Sequence, residues 1–186
     1  MAEKDLKVKK KRWLSIFSSK DFNNFRIGES YVEYPEQLQN KHLTLNLAFL
    51  LNDPKKQNYT LTFKVTEVRG ETGVADPVQY GMVQSSVKRL IRKGVGKIED
   101  SFIATSKDQS KFVIKPVLIT RHQMHASVRT ALRKKTRAFV TEMMQTMDMK
   151  DVFQHIIANK LQMDLKSQLR PICPVSIAEI RVLKRL

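Results

Sequence analysis

The sequence predicts an α+β protein: a mixed, largely antiparallel sheet with one inserted helix, then a helical C-terminal part and a closing strand. Three observations carry this reading. Apolar residues alternate with period two from Leu43 and again from Tyr59, they recur at three- and four-residue spacing from Val128 to Ile157, and a β-branched apolar run follows Pro171 and Pro174. The 186 residues, 41% of them hydrophobic, suffice for one core, or one domain with a small appendage. The expected division is a basic N-terminal arm over 1–20, a β-rich body with one basic helix over 21–120, and a helical part over 121–186 whose C-terminal strand packs back on the body.

The arm carries Lys4, Lys7, Lys9, Lys10, Lys11 and Arg12 with no apolar period before Trp13. Such a run reads as a flexible basic extension, with Trp13 anchoring it to the body or stacking on a base; anchoring is the expected role. From Lys41 onward Leu43, Leu45, Leu47, Phe49 and Leu51 share one face, and His42, Thr44, Asn46 and Ala48 the other, which predicts a half-buried strand. After the turn cluster Asn52-Asp53-Pro54 the alternation resumes through Tyr59, Leu61, Phe63 and Val65, so the two runs are expected to pair antiparallel. The segment from Arg69 to Gly73 breaks the chain.

Val83, Val87, Leu90 and Ile91 predict a helix between Tyr80 and Gly96, crowded by Lys88, Arg89, Arg92 and Lys93 and ended by Gly94 and Gly96. Strand-like runs at 101–105 and 111–120 flank the polar turn Ser106-Lys107-Asp108-Gln109-Ser110, the pattern of a hairpin. On a helical wheel for 127–147, Val128, Leu132, Phe139 and Met143 fall within an arc of roughly 60°. Arg129, Arg133 and Arg137 are read as lying on the far side, with Lys134 just beyond. Asp148 and Asp151 suit the start of a further helix with apolar face Val152, Phe153, Ile156, Ile157 and Leu161. A third helix must stop at or before Arg170, ahead of Pro171. The closing strand over 175–186 slips its alternation between Ile177 and Ile180, which predicts a bulge.

The 34 Lys and Arg against 18 Asp and Glu leave a formal charge of +16, and the sequence pI is near 10.1. A protein this cationic points to a polyanionic partner: nucleic acid, an anionic membrane surface, or an acidic protein. No stretch approaches the ~20 apolar residues of a membrane span, and the first residues are charged where a secretion signal would turn apolar. Cys173 is the single cysteine, so no internal disulfide forms.

Chemistry-bearing motifs are missing. His122 and His125 are three apart but lack the Glu of a zinc-binding HExxH, and Arg121 beside them repels a cation; His42 and His155 read as ordinary residues. There is no G-x-S-x-G, Cys173 stands among prolines, and Gly94-Val95-Gly96 lacks the phosphate-loop pattern. The expectation is therefore no catalytic residue, no metal, no cofactor, no small-molecule substrate and no membrane. What remains is three basic elements: the arm, the Lys88 to Lys93 helix, and the segment from Arg121 to Arg137. Arginine suits phosphate because its planar guanidinium binds bidentately and also stacks. Without recognisable base-reading motifs, recognition by RNA shape and backbone is expected.

The order of elements resembles a family. Lys11-Arg12-Trp13 with Ile16 and Phe22, Ile27-Gly28-Glu29-Ser30, Pro35-Glu36-Gln37-Leu38, Ser106-Lys107-Asp108, Ile114-Lys115-Pro116, Leu132-Arg133-Lys134, Ile172-Cys173-Pro174 and Glu179-Ile180-Arg181 stand in the order seen in archaeal and eukaryotic small-subunit ribosomal proteins of the S3Ae type. The resemblance runs from about Lys10 to Arg181. Departures are Cys173 where the family usually has an aromatic, no Pro near Ser19, and Val83-Gln84-Ser85-Ser86 in place of a longer helix start. The family implies a β-barrel-like mixed sheet with appended helices. It also implies a non-catalytic structural role in translation, in the cytoplasm, on the platform of the small subunit near the messenger exit and the 3′ region of the small-subunit rRNA. The partners implied are that rRNA and neighbouring platform proteins, with contact to messenger RNA left open. The residues expected to bind RNA are Lys9, Lys10, Lys11, Arg12 and Trp13 in the arm, Lys88, Arg89, Arg92 and Lys93 on the basic helix, and Arg121, Arg129, Arg133, Lys134 and Arg137. The alternative is a free RNA-binding or RNA-chaperone protein. The lack of long tails points to an archaeal or reduced eukaryotic form.

Overall fold

The computed structural model describes residues 10–19, 22 and 24–186; Lys4, Lys7 and Lys9 of the basic arm lie outside the described residues. The strands are β1 (Arg12–Ser18), β2 (Arg26–Val32), β3 (His42–Asn46), β4 (Tyr59–Arg69), β5 (Thr72–Met82), β6 (Lys97–Glu99), β7 (Phe102–Thr105), β8 (Lys111–Thr120) and β9 (Val175–Arg185). The helices are α1 (Leu47–Leu51), α2 (Gln84–Leu90), α3 (Ala126–Thr146), α4 (Met149–Ile157) and α5 (Lys160–Leu169). The architecture is α+β as predicted, and among the described residues the sheet is mixed and unclosed. The chain forms two compact units, Met1–Leu45 with Thr62–Pro77, and Asn46–Leu61 with Val78–Leu186.

In the first unit β1 pairs antiparallel with β2 and parallel with the start of β5. Leu14, Ile16 and Ser18 point inward from β1 and join Ile27, Val32, Leu38, Phe63, Val65 and Ala75 in a core. Gly73 packs closely there: a Cβ would stand 3.3 Å from the Val65 side chain and 3.4 Å from that of Ile16, which would have to give by a few tenths of an ångström. Val65 exchanges backbone bonds with Asn40 and Lys41, at 3.0 and 2.9 Å, and the Thr44 and Thr62 hydroxyls meet at 3.0 Å. This is the predicted antiparallel pairing of β3 with β4.

The strand predicted to run on to Leu51 instead ends at Asn46. The Asn46 side chain accepts from the Ala48 N–H at 2.9 Å and donates to the Gln57 carbonyl at 2.7 Å, so Leu47–Leu51 turns into α1, closed by Asn52 at φ 51°. An N-cap side chain thus overrides five positions of period-two alternation. The helix predicted from Tyr80 is likewise shorter. Tyr80, Gly81 and Met82 belong to β5, α2 ends at Leu90, and Arg92 and Lys93 sit in the loop beyond it.

β8 organises the second unit. It pairs antiparallel with β6, β7 and, over nine residue pairs, β9. The predicted slip in β9 is a double one: the register shifts opposite Lys115/Pro116 and Ile119/Thr120 leave Arg181 and Ser176 as the extra residues, which carries Val175, Ala178, Ile180 and Leu183 all inward. The hairpin turn at Ser106 caps the helical layer. Ser106 donates to the Met147 carbonyl at 2.5 Å, and Asp108 accepts from the Met149 N–H at 3.0 Å. Asp148 holds the N-cap position of α4 without a side-chain cap bond; its carboxylate stands 3.7 Å from Lys107. Lys56 donates to the Ile157 carbonyl at 2.6 Å, a cation at the C-terminal end of α4. Phe153 meets Phe112 edge-on at 6.1 Å, and Val152, Ile156, Ile157 and Leu161 are buried as predicted, Leu161 on α5 after Asn159 breaks the helix at φ 59°.

The buried line of α3 is Leu132, Thr136, Val140 and Met144, whereas Val128, Phe139 and Met143 are half-buried. Thr136 joins the line because its hydroxyl is satisfied by the Leu132 carbonyl at 2.8 Å. The predicted face was therefore rotated. Arg129, Arg133 and Arg137 flank the buried line rather than lying opposite it.

Tyr59, Tyr80 and Glu179 form a polar cluster in which Tyr80 is buried and the other two half-buried, the tyrosine rings 5.6 Å apart. Burial raises the Glu179 carboxyl above the usual carboxylate range, opposed by the hydroxyl of Tyr59, and burial raises both phenols. A carboxyl with a raised folded pKa contributes stability below its unfolded pKa and loses it as pH rises through the folded value. Glu179→Gln is therefore expected to gain a few degrees in Tm over the parent as pH goes from 4 to 8. Thermal melts across that range test this, and a difference that stays flat with pH would contradict it.

Candidate nucleic-acid interface

In the second unit, the loop after α2 returns tightly to the end of β8. The Gly96 carbonyl accepts from the Thr120 N–H at 2.9 Å and from its hydroxyl at 3.2 Å. A Cβ on Gly96 would fall 2.6 Å from the Thr120 hydroxyl and 3.2 Å from the His122 carbonyl. Gly94, at φ 87°, makes the turn into this approach. The consequence is electrostatic: residues from opposite ends of the segment meet around one hollow of about 390 Å³, lined by Arg89, Arg92 and Arg121 with Leu90, Val95, Ile119, Thr120, Ser176 and Ile177. Three guanidinium groups line it and no carboxylate does. Asn58 fixes Arg89 by accepting from its Nη2 at 3.1 Å.

A second hollow of about 270 Å³ continues past Val95 and Gly96 and is lined by Lys97, Gln123, Met124 and Arg129. Lys97 is held 2.9 Å from Glu99, which leaves Arg129 as its arginine; Arg129 donates to the Met124 carbonyl at 3.4 Å. Lys88 and Lys93 are exposed on either side of Arg89 and Arg92.

The remaining arginines of α3 face acid. Arg137 binds Asp100 through Nε and Nη2 at 2.6 and 2.7 Å, and its guanidinium carbon lies 5.9 Å from the Phe102 ring centre. The hydrogen bonds from Arg137 hold the Asp100 carboxyl below the usual range, with further help from the Ser101 N–H and the charge of Arg133. Arg133 lines a hollow of about 480 Å³ with Glu99, Asp100, Lys115 and Arg181, and Arg181 donates to Glu99 at 3.0 Å. So the segment read as one cationic ridge is divided: Arg129 joins the acid-free hollows, Arg133 and Arg137 stand over carboxylates, and Lys134 is exposed on α3.

In the first unit Lys10 and Lys11 are exposed, and Arg12 lies 2.6 Å from Glu71. Trp13 is 66% exposed and rests against Tyr31 at 5.2 Å between ring centres, so it is not a buried anchor. Tyr31 carries no signal in the sequence, since its role needs the β1–β2 register, and Gly96, which reads there only as a helix stop, acquires its role through the contact with Thr120. Cys173 lies 3.5 Å from the Met124 sulfur. Among the described residues no group of His, Cys, Asp or Glu could hold a metal ion, and no helix is long and apolar enough to cross a membrane.

Two outcomes follow from this geometry. Gly96→Ala forces the loop off Thr120 and is expected to cost about 1–3 kcal/mol in urea unfolding, recovered in part by Thr120→Ala; unchanged stability would show the approach to be slack. Arg137→Leu should lower Tm at neutral pH. Because the Asp100 pKa is depressed, that stabilisation is present above the unfolded carboxylate pKa and fades as pH falls through the folded one, so the parent and variant should converge in strong acid. A difference that persists there would mean Arg137 acts by packing alone.

The family model for the ribosomal S3Ae family matches residues 2–186. Among similar proteins, the small ribosomal subunit protein eS1 of Nanoarchaeum equitans is 32% identical over 173 residues, covering 93% of this chain and 87% of that protein. Those named small ribosomal subunit protein eS1 from Natronomonas pharaonis and Methanopyrus kandleri are 25% and 24% identical, covering 97% and 94% of this chain and 89% and 85% of their own lengths. With the α+β order, the hairpin turn that caps the helical layer and a match spanning both compact units, the chain belongs to the ribosomal S3Ae family.

Proposed function

We propose that this chain is a structural constituent of the small ribosomal subunit that holds rRNA through the hollow of Arg89, Arg92 and Arg121, continued by Arg129. The observation that carries the reading is the convergence of three guanidinium groups where no carboxylate lines the surface. A concave site of that composition suits the phosphate backbone of a folded RNA, because each arginine can grip two phosphate oxygens and adjacent phosphates are drawn into one field. Family membership and the names of the relatives support placing that RNA in the small subunit.

Lys88 and Lys93 extend the field on either side. Lys9, Lys10, Lys11 and Arg12 supply a second contact from the arm, and Lys134 a third. Arg133 and Arg137 make a weaker contribution than their spacing suggests, since Asp100 binds Arg137 and lines the same hollow as Arg133. The finer location proposed, on the platform near the messenger exit and the 3′ region of the rRNA and beside other platform proteins, rests on the family resemblance.

The test is an Arg89/Arg92/Arg121→Glu triple variant expressed beside the parent, each tagged and sedimented through sucrose gradients. The variant should stay folded by circular dichroism yet be depleted from the small-subunit peak at least tenfold. Binding of the purified proteins to small-subunit rRNA should lose roughly 0.7–0.9 of salt slope for each phosphate contact removed. Normal incorporation would overturn the hollow as the contact, and a parent that spreads diffusely and strips at moderate salt would favour a free general RNA binder.

A further inference from the structure

We propose that Trp13 and Tyr31 form a stacking platform for unpaired RNA bases, separate from the arginine hollow; the inference rests on the reading of this chain as an RNA-binding protein. Trp13 and Tyr31 are direct partners in the β1–β2 ladder. Along β1, Leu14, Ile16 and Ser18 face the core of the first unit, so Trp13 is on the opposite, outward face. The rings meet at 5.2 Å with a 43° tilt and remain 66% and 53% exposed.

That exposure is the anomaly. A single apolar residue at a surface is ordinary, but Trp13 is the chain's single tryptophan. It is paired with a second large aromatic on one open sheet face rather than turned into the core that begins at Leu14. A cross-strand aromatic pair stabilises a hairpin modestly, and Leu or Val would do so with less apolar surface left in water. Tryptophan and tyrosine left with open π-faces offer what a flat heterocycle needs.

Charge selects the occupant. Lys10 and Lys11, immediately before the pair, are exposed. Two carboxylates lie two residues from Tyr31: Glu29 is engaged by Arg26 and by the Ser15 hydroxyl at 3.4 Å, and Glu33 is half-buried. A flat ring beside exposed lysines matches a base attached to a phosphodiester chain. Duplex RNA keeps its bases stacked inside, whereas a loop, bulge or single-stranded end can turn one out onto an aromatic surface. The platform therefore takes unpaired nucleotides with little base preference, since every base has a π-face.

The single tryptophan makes the test direct. With the full chain at low salt, octauridylate and octaadenylate RNA are titrated while Trp13 fluorescence is followed. The expected result is saturable quenching by both, none by inorganic polyphosphate of matched charge, and about tenfold weaker binding for Tyr31→Ala. Trp13→Leu, followed by anisotropy of end-labelled octauridylate, should also bind about tenfold more weakly, and Trp13→Phe should recover most of the loss. The Arg89/Arg92/Arg121→Glu variant should still be quenched by the oligonucleotides.

Quenching by polyphosphate equal to that by RNA would overturn the platform. So would Trp13→Leu binding within twofold of the parent, or Trp13→Leu losing thermal stability while affinity holds, the mark of a purely structural pair. RNA binding by anisotropy with Trp13 unquenched rejects the platform and leaves the proposed function standing; no RNA binding at all rejects both. If Trp13→Leu does not fold, Tyr31→Ala and Trp13→Phe decide by the same readings.

Discussion

With 18 carboxylates to set against 34 Lys and Arg, the fold cannot neutralise its own cations, and where the few acids are placed determines what every basic residue can do. Asp100 and Glu99 follow one another at the end of β6, and between them they engage Arg137, Arg181 and Lys97. Arg137 ties α3 to the turn between β6 and β7 and Arg181 ties β9 to β6, while Lys97 pairs with Glu99 within β6. The hollow at Arg89, Arg92 and Arg121 has no such counterweight, so its field is left for an external anion. One class of residue therefore performs two tasks in the second unit, and the position of two carboxylates separates them.

Backbone geometry then sets the spacing of the unneutralised charges. Gly96 permits the loop after α2 to lie against Thr120, which puts residues 89 and 92 beside residue 121 although the chain travels through three strands between them. The two bulges of β9 matter in the same way. Without the extra residues Ser176 and Arg181, a regular strand would turn part of its apolar set away from the core. With them, Ser176 reaches the hollow's wall and Arg181 reaches Glu99.

Much of this was legible in the sequence where local periodicity was strong and unopposed. The alternation through Leu61, Phe63 and Val65, the β7–β8 hairpin, the extent of α3, the stop before Pro171 and the slip in β9 all correspond to elements of the structure. β5 was not legible because its inward positions include Gly73, Ala75, Pro77 and Gly81, small or ring-closed residues that carry no hydrophobic period. α1 was hidden because a five-residue helix has the same apolar content as the end of a strand, and only the two hydrogen bonds of the Asn46 side chain decide between them. The α3 face was rotated because a buried Thr136 counts as polar in any wheel. The basic residues were identifiable one by one, but their grouping was not: Arg137 meets Asp100 across 37 positions, and the hollow exists only once Gly96 meets Thr120.

The long ladder between β8 and β9 also has a history in time. When Thr120 leaves the ribosome that is making this chain, β6 and β7 are already available to pair with β8. The strand that belongs on its other side begins only at Val175, with three helices still to be synthesised in between. At roughly 5–20 residues per second, that side of β8 stands open for several seconds, with Val117, Leu118 and Ile119 among its residues. An apolar strand edge held open for that long is a template for pairing with another nascent chain, so early shielding of the interval between β8 and β9 would protect the yield of this protein.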